Sequence, residues 1–200
     1  HMLEVLQACG AWAHLLPECM TAGCAAAGGT ATLADKLDLA ARWRAPLAVR
    51  YAISAQFMAD DDARNRVTVR LRVPNDCRDL ALLAARERQA VAACASLDAP
   101  ALVHLLERCD ALRKPARFAE LLQLCAFMAL DRSDEDPAGY APRKQLLAVL
   151  AAAQGVVTDT VARRVMAAGL SGPDVGAAIH AARVDAVAAL DAKPNPDPAR

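Results

Sequence analysis

Three histidines are the residues best suited to hold a metal ion or move a proton at neutral pH: His14, His104 and His180, apart from His1 at the chain's start. They fall one to each third of the sequence, and none stands beside an aspartate. His104, Glu107 and Asp110 share one helical pattern at spacings of three and six, which offers at most a weak metal face. Leu102, Leu105 and Leu106 mark the opposite side as the buried one, so the expectation for His104 is a solvent-side helix face. His14 near Trp12 and His180 near Arg183 are read the same way. Asp60-Asp61-Asp62 gathers three carboxylates, but neighbours on a helix diverge by about 100° and cannot converge on one ion. A helix N-terminus, where acidic groups meet the positive end of the helix dipole, or a solvated loop is the expectation there. No EF-hand spacing occurs.

Nucleophiles are no better placed. The seven cysteines, Cys9, Cys19, Cys24, Cys77, Cys94, Cys109 and Cys125, form no Cys-x-x-Cys pair, and several fall on apolar helical stripes. They are expected to be reduced thiols acting as small core hydrophobes in a cytoplasmic protein. No Gly-x-Ser-x-Gly elbow is present, and no cysteine has an obvious histidine base within local reach. Gly23 to Gly29 is a connector with paired glycines but neither Gly-x-Gly-x-x-Gly nor Walker spacing, so a phosphate cradle is not expected.

The elements that would position these groups are helical. Leu3 to His14 reads as one short helix with Leu3, Val5 and Leu6 inward, ending near Pro17. Thr30 or Thr32 caps the next, with Leu33, Leu37, Ala40 and Trp43 on one face until Pro46 interrupts. Leu47 to Met58 is expected to be the central buried helix, because Ala48, Ala52 and Ala55 allow close approach. Arg64 to Val73 is ambiguous: Val67, Val69, Leu71 and Val73 alternate with polar residues as in a strand, although a lone strand would have no partner. Its arginines, Arg64, Arg66, Arg70 and Arg72, are the densest basic segment and are expected on a solvated face. A helix then runs from about Cys77 to Cys94. Asp98 is a candidate N-cap for another containing Pro100, and Pro115 opens a third with Phe118, Leu121, Leu122 and Cys125 on one stripe. After an acidic, turn-rich stretch from Asp131 to Gly139, Pro142 opens a helix closed by Gly155, Thr158 to Ala168 follows, and Ser171 caps a last helix from Pro173 to about Ala192.

Composition agrees. Hydrophobic residues make up 56% of the chain and aromatics 4%, so the core is built from Ala, Leu and Val, which favours closely packed helices. Lysine plus arginine equals aspartate plus glutamate at 23 each, so the chain as a whole has no strong field to attract nucleic acid or an anionic membrane. Any RNA contact must come from a local patch or another domain. No apolar run approaches the ~20 residues of a membrane span, and no signal peptide is recognisable. His1-Met2 looks like a cloning remnant, so Leu3 is expected to begin a piece of something longer.

One family resemblance covers most of the chain. Leu71-Arg72-Val73-Pro74-Asn75 followed by Arg78-Asp79-Leu80-Ala81, the run Leu105 to Arg117 (LLERCDALRKPAR), and Ala167-Ala168-Gly169-Leu170 with Gly172, Val175, Ile179 and Arg183 carry it. Leu6 to Ala11 and Leu15 to Glu18 fit as well. The chain resembles the C-terminal half of bacterial CCA-adding enzymes, tRNA nucleotidyltransferases whose long form carries an HD-type phosphohydrolase domain after the polymerising head. The resemblance implies an all-α fold: a degenerate HD-type helical domain over residues 3–132 and a small C-terminal helical unit at 142–192. It also implies a helix over Arg64 to Val73. The acidic stretch is read as the linker at 133–141, and Pro194-Asn195-Pro196-Asp197-Pro198, which cannot continue a helix, predicts a disordered tail at 193–200.

HD-type hydrolases hold a metal with histidines and aspartates around an adjacent His-Asp pair. Val49-Arg50-Tyr51-Ala52 matches the family's lead-in to that pair, but Gln56-Phe57 stands in its place; a later His-Asp corresponds to Arg88-Gln89, and a further histidine to Ala92. No catalytic residue, metal or cofactor is therefore expected in this chain. The parent enzyme would use Mg and ATP or CTP at its head, which nothing here resembles. The implied role is non-catalytic support of tRNA or of the enzyme, with tRNA and the protein's own N-terminal nucleotidyltransferase head as partners and a homo-oligomer as a further option. Arg113, Lys114 and Arg117 are the candidate RNA-binding cations, beside a helix N-terminus that presents free amides. Their other reading is ordinary: cations satisfying a helix C-terminus ahead of an N1 proline. Two alternatives stand beside this: a metal-dependent phosphohydrolase for cyclic or terminal nucleotide phosphates using replacement ligands, and a helical oligomerisation module.

Overall fold

Short polar side chains and prolines set the helix boundaries. Thr32 accepts a hydrogen bond from the Asp35 amide while the Asp35 carboxylate accepts from the Thr32 amide, the reciprocal cap that opens α3 (Leu33–Arg42). Asp60 accepts from the Ala63 amide and Asp98 from the Ala101 amide, opening α5 (Asp61–Arg70) and α7 (Ala99–Arg108). Asp61 and Asp62 thus occupy a helix first turn. The computed structural model describes residues 2–19, 32–130 and 136–191. Among them lie eleven α-helices and no strand beyond an isolated Cys19–Met58 bridge, so the fold is all-α. The connector from Gly23 to Thr30, the first part of the acidic stretch and the terminal prolines lie outside the described residues.

The remaining elements are α1 (Met2–Ala8), α2 (Ala11–Leu15), α4 (Leu47–Ala55), α6 (Asn75–Ala92), α8 (Pro115–Ala129), α9 (Ala141–Gln154), α10 (Thr158–Ala167) and α11 (Gly172–Asp191). Several expectations need correcting. Leu3 to His14 is two helices, because Gly10 at φ +74 adopts the left-handed conformation that turns the chain between α1 and α2. Val5 is exposed, as is Trp43, just beyond the end of α3. α4 stops at Ala55, short of Met58. Gly155 is the C-cap of α9, as expected, with right-handed φ, and Gly169 after α10 is left-handed like Gly10.

α4 packs on α6, and both rest on α8. Ala48, Ala52 and Ala55 are buried along α4, as their spacing required for close approach. α6 meets them with Leu80, Ala81, Leu83 and Ala84. Lys36 of α3 is 2% exposed, and its ammonium donates to the carbonyls of Met128 (3.0 Å) and Leu130 at the end of α8, acceptors that the helix leaves unpaired. Leu146, Val149, Leu150 and Ala153 of α9 and Val187 of α11 join the same apolar cluster, and α11 lies against α7, α9 and α10. Asp136 accepts from the Ala138 amide in a 3-10 turn that buries Pro137. No single described helix is long and apolar enough to cross a membrane.

Candidate functional site

The end of α4 is where a His-Asp pair would be looked for. Phe57 is fully buried there. Gln56 turns its amide onto backbone, donating to the Ala52 carbonyl at 3.2 Å and the Ala81 carbonyl at 3.4 Å, so it ties α4 to α6. On α6, Arg88 is half-buried and Gln89 and Ala92 are exposed. A phenyl ring, an engaged carboxamide, a guanidinium and a methyl group supply no ligand for a hard or borderline cation. The described histidines, His14, His104 and His180, lie on other helices.

The arginine-rich α5 is likewise structural at two positions. Arg64 donates to the Ala55 carbonyl at 3.1 Å, capping α4, and Arg70 reaches back to the Leu15 carbonyl (2.9 Å) and the Glu18 carboxylate (2.6 Å).

A second location gathers polar groups around the corner between α7 and α8. Asp110 sits at φ 54, a left-handed conformation that aspartate tolerates better than most residues. Its carbonyl accepts from the amides of Arg113 (3.2 Å) and Lys114 (2.8 Å), which reverses the chain. Its carboxylate accepts from Arg113 Nε and Nη2, each at 3.0 Å, and lies 3.7 Å from both the Lys114 ammonium and the Arg117 guanidinium. The Arg113 hydrogen bond, against the opposing effect of burial and with the charges of Arg113, Lys114 and Arg117, holds the Asp110 carboxyl below its ordinary range. All three candidate cations thus converge on one carboxylate. They are not used up by it: Arg113 is 78% exposed at its side chain, Lys114 is half exposed, and α8 begins at Pro115 with no side chain capping its amides. Beside them a groove of about 390 Å³ is lined by Leu106, Glu107, Asp110, Leu112, Arg113 and Arg183. The Nε–H groups of Arg117 and Arg183 are buried without a hydrogen-bond partner. Four cations around two carboxylates, two orphaned donors and an uncapped helix start make a surface suited to an anion with several oxygens.

On the far side of Glu107 the fold does something the sequence did not reveal. His104 Nδ1 is 3.2 Å from Glu107 Oε2, and His180 Nδ1, from α11, is 2.9 Å from Oε1 of the same carboxylate. The two imidazoles lie over one another with centroids 4.5 Å apart. Solvent exposure of His104 was legible from the leucine stripe; the arrival of His180 was not, since 73 residues separate it from Glu107. Asp110, the third member of the spaced set, turns away towards Arg113.

No family model and no solved structure matches the chain. Curated relatives do. The chain is 40% identical to the protein named multifunctional CCA protein of Polaromonas naphthalenivorans (strain CJ2), over 93% of its length. The same name belongs to a protein of Verminephrobacter eiseniae (strain EF01-2), 42% identical over 94% of the chain, and to one of Azoarcus sp. (strain BH72), 40% identical over 98%. The chain is a homologue of the multifunctional CCA proteins. It spans about half the length of these relatives: 50%, 52% and 43% respectively.

For this relative of the multifunctional CCA proteins, the thiols add no nucleophile to the corner. Burial pushes the Cys109 and Cys125 thiols up to about 12, so both stay protonated near neutrality.

Proposed function

We propose that this chain is the C-terminal part of a multifunctional CCA protein that has lost its HD-type phosphohydrolase centre, and that it serves tRNA 3′ CCA addition without catalysing it. A nucleotidyltransferase head preceding Leu3, using Mg and ATP or CTP, would do the chemistry. The observation that carries the non-catalytic reading is Phe57, a fully buried side chain that cannot ligate a metal, with Gln56 bonded to two backbone carbonyls beside it. The contribution to tRNA falls to Arg113, Lys114 and Arg117: their exposed faces, with the free amides of α8, contact backbone phosphates and so position the RNA without reading bases.

The test is tRNA binding by the chain, read as fluorescence anisotropy across a salt series. R113E/K114E should weaken binding and lower the salt slope by roughly 1 to 2, because each neutralised phosphate contributes about 0.7 to 0.9 to that slope. Affinity and slope equal to the parent's would remove the corner from the proposal. Chelator-sensitive turnover of a 2′,3′-cyclic nucleotide in the presence of divalent metals would overturn the non-catalytic reading. Sequencing the gene upstream of Leu3 checks the parentage directly, since a chain lacking a nucleotidyltransferase head would end it.

A further inference from the structure

We propose that His104, Glu107 and His180 form a site for a divalent transition-metal ion, zinc first, that clasps α11 to α7. The inference stands on this cluster alone and does not rest on the tRNA reading.

Among the described residues these three each offer a ligand atom, and the three atoms lie within 4.8 Å of one another. Tetrahedral zinc with bonds of about 2.0 to 2.2 Å holds its ligand atoms roughly 3.3 to 3.6 Å apart. Only the widest separation, up to 4.8 Å, exceeds that of a filled site, and long side chains on partly exposed helix faces close such a gap by small rotations. Two helices supply the set: α7 gives His104 and Glu107 one turn apart, on the same face, and α11 gives His180. The Glu107 carboxylate already divides itself between the imidazoles, one oxygen towards each Nδ1 at 3.2 and 2.9 Å. An ionised carboxylate only accepts hydrogen bonds, so each Nδ1 facing it carries a proton. An ion entering there takes the place of those protons as each neutral imidazole shifts to its Nε2–H tautomer, and it gains three donors at once.

The chemistry of the donors selects the ion. Two imidazoles and one carboxylate suit zinc, cobalt, nickel or copper, whereas magnesium and calcium prefer all-oxygen shells. Exposure is graded as a reversible site needs. His104 is 59% exposed at its side chain and admits the ion, while His180 at 28% and Glu107 at 35% are held by the α7–α11 packing. Three protein ligands leave at least one position for water. The effect on the fold would be a cross-link joining positions 104 and 180, which fixes the last helix to the core.

The experiment uses the full chain after treatment with chelator and its removal. Zinc is titrated calorimetrically and cobalt by visible absorption, on the parent, H104A, H180A and E107Q, with helical circular dichroism confirming that each variant is folded. One zinc per chain is expected, with tetrahedral cobalt bands and a raised Tm. Either histidine variant should abolish binding at roughly 100 µM zinc and E107Q should weaken it at least tenfold, while millimolar magnesium should not compete. Three results would overturn the site: no binding by the parent, equal binding by the H104A/H180A double variant, or a thiolate-to-cobalt charge-transfer band showing that cysteines hold the ion.

Discussion

Glu87 of α6 and Arg108 of α7 form a forked ion pair, with Arg108 Nε 3.2 Å from both carboxylate oxygens and Nη2 3.1 Å from Oε2. Glu87 is buried, and Arg86 adds a further bond at 2.8 Å, whereas Arg108 is half exposed. Burial acts to raise the Glu87 carboxyl, but the hydrogen bonds of Arg108 and Arg86 prevail and hold it below the ordinary glutamate value of 4.5. A carboxyl lowered by folding contributes stability above its unfolded value and loses that contribution as pH falls through its folded one. E87Q is therefore expected to cost about 1 to 3 kcal/mol in urea unfolding at pH 7, the range for a buried hydrogen-bonded group rather than for a fully desolvated pair. It should also flatten the loss of stability that the parent shows below pH 4.5. A full-sized acid loss in E87Q would assign that loss to other carboxylates.

Lys36 offers a second test of the helix ends. Its ammonium serves the last carbonyls of α8 from α3, across 92 and 94 residues of chain. K36M keeps the apolar stem but leaves those carbonyls without this donor, so a loss of about 1 to 3 kcal/mol is expected in thermal or urea unfolding. An unchanged midpoint would mean that water replaces the ammonium without cost.

Local signals made the helices legible and distant ones stayed hidden. Asp98 announced one helix start, Thr32 was one of two candidate caps for a second, and the Asp60 run left a loop or a helix start open; in the structure each of the three presents an oxygen to a free amide. Arg64 to Val73 alternates like a strand, yet its first seven residues lie in α5, where Val67 is buried and Val69 exposed; the helix ends at Arg70, ahead of a left-handed Arg72, short of the expected Val73. Gly10 was read as part of a helix although its left-handed turn divides one. At the corner, the run Arg113-Lys114-Pro115 was visible, while the role of Asp110 as their shared counter-ion required a positive φ that no residue pattern announces. His180 is the plainest case, since only the packing of α11 on α7 brings it to Glu107.

Cysteine reactivity checks the burial pattern directly. Cys9 is exposed, and Cys19, Cys77, Cys94, Cys109 and Cys125 are buried. Burial is also the leading cause that raises the thiols of Cys77, Cys94, Cys109 and Cys125, so little thiolate forms at pH 8. In a thiol-exchange assay on the native chain, Cys9 should react fast, and those five should react only as the chain unfolds in denaturant. Rapid labelling of Cys109 or Cys125, identified by peptide mass, would contradict their place in the apolar core.

The closed end of α4 yields the sharpest prediction. If the helical shell had merely lost its ligands and kept the space around them, Q56H/F57D would restore a metal grip. The structure argues otherwise. Phe57 is fully buried in the core, and Gln56 supplies a bond between α4 and α6 that imidazole, with its ring nitrogens set differently, does not reproduce. Removing the ring alone is worth about 3 to 5 kcal/mol, and an aspartate placed there must also lose its hydration. The double variant is therefore expected to be severely destabilised, with no chelator-sensitive phosphoesterase activity, and F57A alone should already lower the urea midpoint markedly. A folded Q56H/F57D that binds manganese or nickel would show that the cavity needed by a hydrolytic centre survives behind the phenyl ring.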